Sequence, residues 1–185
     1  MIEHFSLDSV TTSAAVFDPD KLSWLNEHYI KNTPPEELVP YLEPFLISTG
    51  VLQEGHDLGV AEIAKVIPSL NQRAKTLVEM AEKSAFYFKK EVEFDEKAKA
   101  KFLTAEAKPL LEKTIAGLSQ LENFSAEEIE ELFKKVVEEE GVKLGKLAQP
   151  VRVAITGTTV SPGIYDVILL LGKEETLARL NNALP

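Results

Sequence analysis

An all-α fold, arranged as two small helical bundles in series, is predicted by three features of the sequence. Apolar residues recur at helical spacing through most of the chain, and nearly every such run opens on a capping residue or a proline. The one stretch that alternates like a strand, Val151, Val153 and Ile155, has no partner strand in its half of the chain. The charged run KKEVEFDEKAKAKFL, from Lys89 to Leu103, then reads as a boundary, because Asp95 restarts a helix with the capping chemistry of a new unit. Units of residues 1–94 and 95–185 follow.

In FDPDKLSWLNEHYIKN, Asp18 is placed to cap and Pro19 to occupy the first turn. Leu22, Leu25, Tyr29 and Ile30 then share a face, which predicts a helix from Pro19 to Lys31. Thr33 is expected to cap the next helix, with Pro34 in its first position and Glu36 completing a capping box. Pro40 and Pro44 predict a kink or a second short helix there. GVLQEGHDLG reads as a loop, Val60 to Pro68 as a helix, and SLNQRAKTLVEMAEKSAFYF as another, with Leu70, Leu77, Met80, Ala81 and Ser84 on one stripe. In the second half, SAEEIEELFKKVVEEEG opens on Ser125 and stops at Gly141. Its stripe is Ile129, Leu132, Phe133, Val136 and Val137. A short helix is expected after Pro150, another from a Ser161 cap with Pro162 in its first turn to Gly172, and a last one over KEETLARLNNAL.

With 44% apolar and 27% charged residues, the 185-residue chain has the composition of a soluble globular protein of one ordinary or two small domains. It has no cysteine, which excludes disulfides and thiolate metal sites and suggests a reducing, cytoplasmic setting. MIEHFSLDSV lacks the basic and apolar regions of a signal peptide, and no run reaches the roughly 20 apolar residues that span a bilayer. A net charge of −10 argues against loose binding to nucleic acid or an anionic membrane. DNA and membrane are therefore not expected as partners. His4, His28 and His56 form no pair with metal spacing, and no phosphate loop, nucleophile with a base, or paired apolar carboxylates is found. These exclusions favour a binding module without a catalytic, metal or cofactor site.

Charge distribution supplies the positive signal. Residues 122 to 140 hold eight acids, whereas Gly141 to Tyr165 hold Lys143, Lys146 and Arg152 and no acid. A charge acts over only about 8 to 10 Å in salt, so a local basic site is compatible with an acidic chain. The guanidinium of Arg152 offers five donors in a planar fork that suits base edges and phosphates. Pro162 and Ile164, if exposed at a helix start, would support a splayed base, as single-stranded RNA recognition requires. The same residues also fit an inert bundle surface. The glutamates of residues 127 to 140 fit a solvated face or an acidic docking face of a helical protein-interaction scaffold.

Lys143 to Gly157 read K-x-G-x-x-x-x-P-x-R-x-A-x-T-G and are followed by Ser161-Pro162-Gly163. The chain also holds FSLDSVTTSAAVFDPDKLSWLNEHYIK and QRAKTLVEMAEKSAFYF. In this order, from about His4 to Leu184, it resembles the C-terminal region of the bacterial glutamyl-tRNA synthetase family, a class I aminoacyl-tRNA synthetase. The resemblance implies an all-α anticodon-binding cage. Residues 1–94 would form a stem-contact and first anticodon-binding subdomain, and residues 95–185 the C-terminal one. It implies tRNA(Glu) as partner of a monomeric chain. ATP and glutamate would belong to a catalytic half whose HIGH-type and KMSKS-type signatures are absent here, so this chain alone is expected to be inactive. By resemblance, Arg73, in Gln72-Arg73-x-x-Thr76-Leu77, reads the third anticodon base and separates Glu from Gln tRNAs. Arg152 and Ser161 meet the first base, and Pro162 and Ile164 pack against it. Trp24, Asn26 and Tyr29 would face the inner corner of the tRNA, with Lys143 and Lys146 near its backbone.

Overall fold

The computed structural model describes Ser6 and residues 16–185. His4 and most of the segment from Phe5 to Ala15 lie outside the described residues. Among the described residues the chain is wholly helical, as expected. The helices are α1 (Pro19–Asn32), α2 (Pro35–Ser48), α3 (Val60–Ala64), α4 (Ile67–Leu70), α5 (Leu77–Phe88) and α6 (Glu96–Phe102), then α7 (Lys108–Gln120), α8 (Ala126–Glu140), α9 (Leu144–Thr156), α10 (Ile164–Leu171) and α11 (Lys173–Asn182).

Local chemistry accounts for most of the boundaries. Asp18 accepts from the amides of Asp20 and Lys21, Thr76 from Glu79, Asp95 from Ala98 and Ser125 from Glu128, each filling an orphan donor of a first turn. At the end of α8, Gly141 takes a φ of 62°, and the Gly141 and Val142 amides donate to the Glu138 and Val137 carbonyls. That is the left-handed turn a glycine permits.

Prolines move several boundaries away from the sequence expectation. Thr33 closes α1 instead of capping α2, which begins one residue late, at Pro35, without a side-chain cap. A proline disfavours helical backbone in the residue before it, and here Pro34 and Pro35 hold Thr33 and Pro34 extended. Pro40 and Pro44 lie inside α2, which runs on as one helix. Spaced four apart, both rings sit on the exposed side, where the carbonyls that lose helical donors face water. The helix expected from Val60 to Pro68 breaks into α3 and α4, because Pro68 has no N–H for the Ala64 carbonyl. The next helix starts at Leu77, so Arg73 lies in the turn between α4 and α5. Pro150 falls within α9 instead of starting a helix, and α10 begins at Ile164 with Gly163, not Ser161, in the capping position.

Burial gathers into two clusters. The first centres on Leu42, Leu46, Ile63, Ile67, Leu70 and Met80, and the second on Leu111, Leu118, Ile129, Phe133, Leu147 and Ile155. The main helix packing falls within these groups, α2 on α5 and α3 in the first, and α7, α8, α9 and α11 together in the second. The α8 stripe is buried at Ile129, Phe133 and Val136, as its spacing predicts. The α1 stripe differs, since only Ile30 is buried while Leu22, Leu25 and Tyr29 remain exposed.

Tyr87 packs against both clusters, and its hydroxyl lies 3.1 Å from Ser69 Oγ. Burial, reinforced by the charge of Asp166, pushes its pKa up to about 12. The neutral phenol is thus favoured in the folded chain, and its contribution is complete below pH ~10 and lost as pH rises toward ~12. Tyr87→Phe should lose less stability than the wild type between pH 9 and 11.5 in urea titrations, and equal losses would contradict this assignment.

Candidate nucleic-acid interface

The turn at residues 71–76 presents Arg73 on a tethered backbone. Its amide donates to the Leu70 carbonyl at 2.8 Å, and its own carbonyl accepts from Lys83 Nζ on α5. Two residues on, the Lys75 carbonyl accepts from Asn26 Nδ2 on α1 at 2.6 Å, and the Lys75 amide donates to Glu79 Oε2 at 3.0 Å. That amide bond, followed by the nearby lysines, holds the Glu79 carboxyl below its ordinary value. Asn26 thereby supports the Arg73 turn, while the guanidinium of Arg73 forms no ion pair among the described residues. Trp24 is exposed on α1 and stacks on His28, with ring centroids 5.7 Å apart.

From the other half, α9 delivers Arg152 in its last turn and a half. Arg152 Nη1 donates to Ser161 Oγ and, at 2.8 Å, to the Pro162 carbonyl. The Ser161 hydroxyl donates in turn to that carbonyl at 2.9 Å. Three of the guanidinium's five donors, on Nη2 and Nε, remain without a hydrogen bond among the described residues. Burial, and then the positive charge of Arg73, hold the Arg152 pKa below its usual value. The two like charges therefore repel, and a negative or acceptor-rich group near both would relieve that field.

A cavity of about 630 Å³, open to solvent, has Arg73, Ser161 and Pro162 in its lining, whereas Arg152, bonded to Ser161 and Pro162, is not itself a lining residue. Leu70, Phe86, Val92 and Val160 supply apolar wall, within the size range of a small-molecule or base pocket. Several lining groups were not singled out by the sequence reading. Phe86 lies in the last turn of α5 and Lys89 just after it, and Glu91 to Glu93 come from the run read as a unit boundary. The only signal there was a phenylalanine and two lysines at the end of an amphipathic helix.

Two expectations, the exposure of Pro162 and of Ile164, are corrected by the geometry. Ile164 is 7% exposed and packs in the second core, and it is not part of the cavity lining. Pro162 is buried too, so the exposed apolar group at the rim is Val160. Ile164 turns inward because α10 begins there and must bury its apolar stripe. Glu82, Glu91 and Glu93, all outside the acid-free strip, also line the cavity, with Glu93 paired to Lys89 at 2.8 Å. Lys143 and Lys146 are exposed at the opposite end of α9, about 9 to 14 Å along its axis from Arg152, outside the cavity. The glutamates of α8 are partly consumed internally. Lys134 pairs with Glu130 at 2.7 Å, and Lys113 with Glu140 and, at 3.7 Å, Glu139.

No group of acids and histidines able to hold a metal ion occurs among the described residues, and no described helix is long and apolar enough to cross a membrane.

Residues 37–184 match the model of the anticodon binding domain. The chain is 48% identical over 184 residues to a glutamate–tRNA ligase of Syntrophobacter fumaroxidans and 46% identical to one of Thermodesulfovibrio yellowstonii. All of this chain is covered in both cases, but only 38% and 40% of those relatives. A crystal structure of a glutamate tRNA ligase from Elizabethkingia meningosepticum superimposes with a TM-score of 0.81 at 28% identity, covering 98% of this chain and 35% of that one. The match of one family model to most of the chain, together with a shared all-helical architecture, shows that the chain belongs to the anticodon binding domain family, in the form found in glutamate–tRNA ligases.

Proposed function

We propose that this chain reads the anticodon of tRNA(Glu) on behalf of a glutamate–tRNA ligase, with Arg73 meeting the third anticodon base and Arg152 with Ser161 meeting the first. The observation that carries this reading is the convergence on one cavity of Arg73 and of Ser161 and Pro162, the two residues that Arg152 holds from behind the lining, from opposite halves of the chain. An anticodon loop can unstack its bases, and an arginine fork accepts only those whose acceptors face it. A wrong base leaves a buried donor unpaired, a penalty of about 1 to 3 kcal/mol. ATP and glutamate would be handled by a catalytic part outside this chain, and residues 1–94 and 95–185 would act as the two anticodon-contacting units.

Glu and Gln anticodons differ at the third base. Titrating unmodified tRNA(Glu) and tRNA(Gln) transcripts at low salt, followed by fluorescence anisotropy, should show tRNA(Glu) bound about tenfold more tightly. Equal affinity for the two would overturn the assignment of Arg73. Binding to a basic protein with no RNA binding at any ionic strength would instead support the scaffold reading of the α8 glutamates.

A further inference from the structure

We propose that Arg179, which is not itself among the cavity-lining residues, is the positioning residue that fixes the spacing of the two base readers. The inference rests on the reading of Arg73 and Arg152 given above. Arg179 lies on α11 and is only 5% exposed. Its Nη1 donates to the Phe86 carbonyl at 2.7 Å and the Ile155 carbonyl at 2.8 Å, and its Nη2 to the Lys89 carbonyl at 2.9 Å. Its Nε donates to Glu175 Oε1 at 2.6 Å, one helical turn back, which orients the fork.

The three carbonyls have a common character. Phe86 and Lys89 lie at the C-terminal end of α5, and Ile155 at the C-terminal end of α9. Helix C-termini leave their last carbonyls without intrahelical donors and carry partial negative charge. One buried cation thus closes two helix ends that belong to different cores. Glu175 alone cannot explain the burial, because an ion pair between neighbouring turns is also made at the surface.

The two helix ends carry the proposed readers. Arg152 is one turn before Ile155 on α9. Arg73 is tied to α5 through Lys83, which donates to the Arg73 carbonyl, and Phe86 and Lys89 line the cavity. A continuous chain of bonds therefore runs from Arg73 through α5 to Arg179 and on through α9 to Arg152. Helix-on-helix packing lies mainly within each half, so this polar joint, with the apolar contact of Phe86 and Tyr87, sets the distance across the cavity. A lysine offers one ammonium in place of a planar fork and cannot meet three carbonyls in that geometry.

The absence of cysteine allows specific spin labelling. Labels on Glu37→Cys in α2 and Glu131→Cys in α8, both exposed, report the distance between halves by pulsed electron resonance. In the otherwise unaltered chain a single narrow distance distribution is expected. Arg179→Lys should broaden it at unchanged helix content, and should cut discrimination between transcripts with correct and altered anticodons about tenfold. Glu175→Ala, which only frees the fork, should broaden it less and keep the fold. An unchanged distribution in both variants, or an equal loss of affinity for every transcript, would overturn the proposal. Should the unaltered chain show no anticodon preference at all, the assignment of Arg73 and Arg152 would fail, while the distance measurement would still decide whether Arg179 is the joint.

Discussion

Gly157→Ala is expected to lower stability by about 3 kcal/mol or more, a fall in melting temperature of roughly 6 to 12 °C for a chain of this size. Gly157 ends α9 with a φ of 78°, its amide donates to the Val153 carbonyl at 2.8 Å, and its carbonyl accepts from the Asp95 amide at 2.9 Å. A side chain in the left-handed region costs about 1 to 2 kcal/mol by itself. A Cβ here would also stand 2.0 Å from the backbone carbonyl oxygen of Glu93, which cannot be relieved by turning a side chain. The linker of residues 91–94 would have to move, and with it the cavity wall formed by Val92 and Glu93. Gly141→Ala provides the control. It shares the left-handed conformation, at a φ of 62°, but its Cβ would meet nothing within 4 Å. Only the conformational cost of about 1 to 2 kcal/mol should appear there. Equal melting temperatures for the two variants would show that the approach of Glu93 to Gly157 carries no weight.

Arg152→Ala is expected to weaken binding of tRNA(Glu) about 5- to 150-fold and to relax preference at the first anticodon base. The substitution removes three donors that make no hydrogen bond among the described residues. It also frees Ser161 and the Pro162 carbonyl, which Arg152 holds in place. Lys146→Ala should behave differently, because Lys146 is solvent-exposed at the far end of α9. Its loss should reduce affinity similarly for all transcripts and shallow the dependence on salt by about one charge, the signature of a phosphate contact. If Arg152→Ala also acts uniformly on all transcripts, Arg152 is not a base reader.

Much of this arrangement is legible from residue spacing. The caps at Asp18, Asp95 and Ser125 are strong local signals, because a side chain two or three residues away satisfies an amide that nothing else can reach. The buried stripe of α8 is similarly local. Prolines were less readable. Pro40, Pro44 and Pro150 sit inside intact helices. Whether a helix tolerates such a residue depends on where its orphaned carbonyls point, and hence on tertiary placement. The same limit applies to Ile164, whose apolar side chain fits a base wall or a core equally well until α10 is placed on its neighbours.

At the candidate site, Arg152 and Ser161 stood out because the sequence around them lacks acids, and the structure joins them directly. Arg73 had no compositional signal and entered only through a family resemblance. The reason is geometric, since it comes from a turn 79 positions earlier and meets Arg152 only across the junction of the two cores. The charged run from Lys89 reads as a boundary between two units, because Asp95 restarts a helix there. Its backbone also builds one wall of the cavity, and Glu93 is neutralised by Lys89. Arg179 was similarly hidden, an ordinary basic residue near a helix end whose three carbonyl partners lie more than twenty positions away.

The most direct test of anticodon reading uses tRNA(Glu) transcripts that differ only at the third anticodon base, titrated into the chain and its Arg73→Ala variant. The account predicts about a tenfold preference for the correct base in the unaltered chain. Arg73→Ala should abolish that preference and leave discrimination at the first base intact. A third-base preference that survives Arg73→Ala unchanged would contradict it.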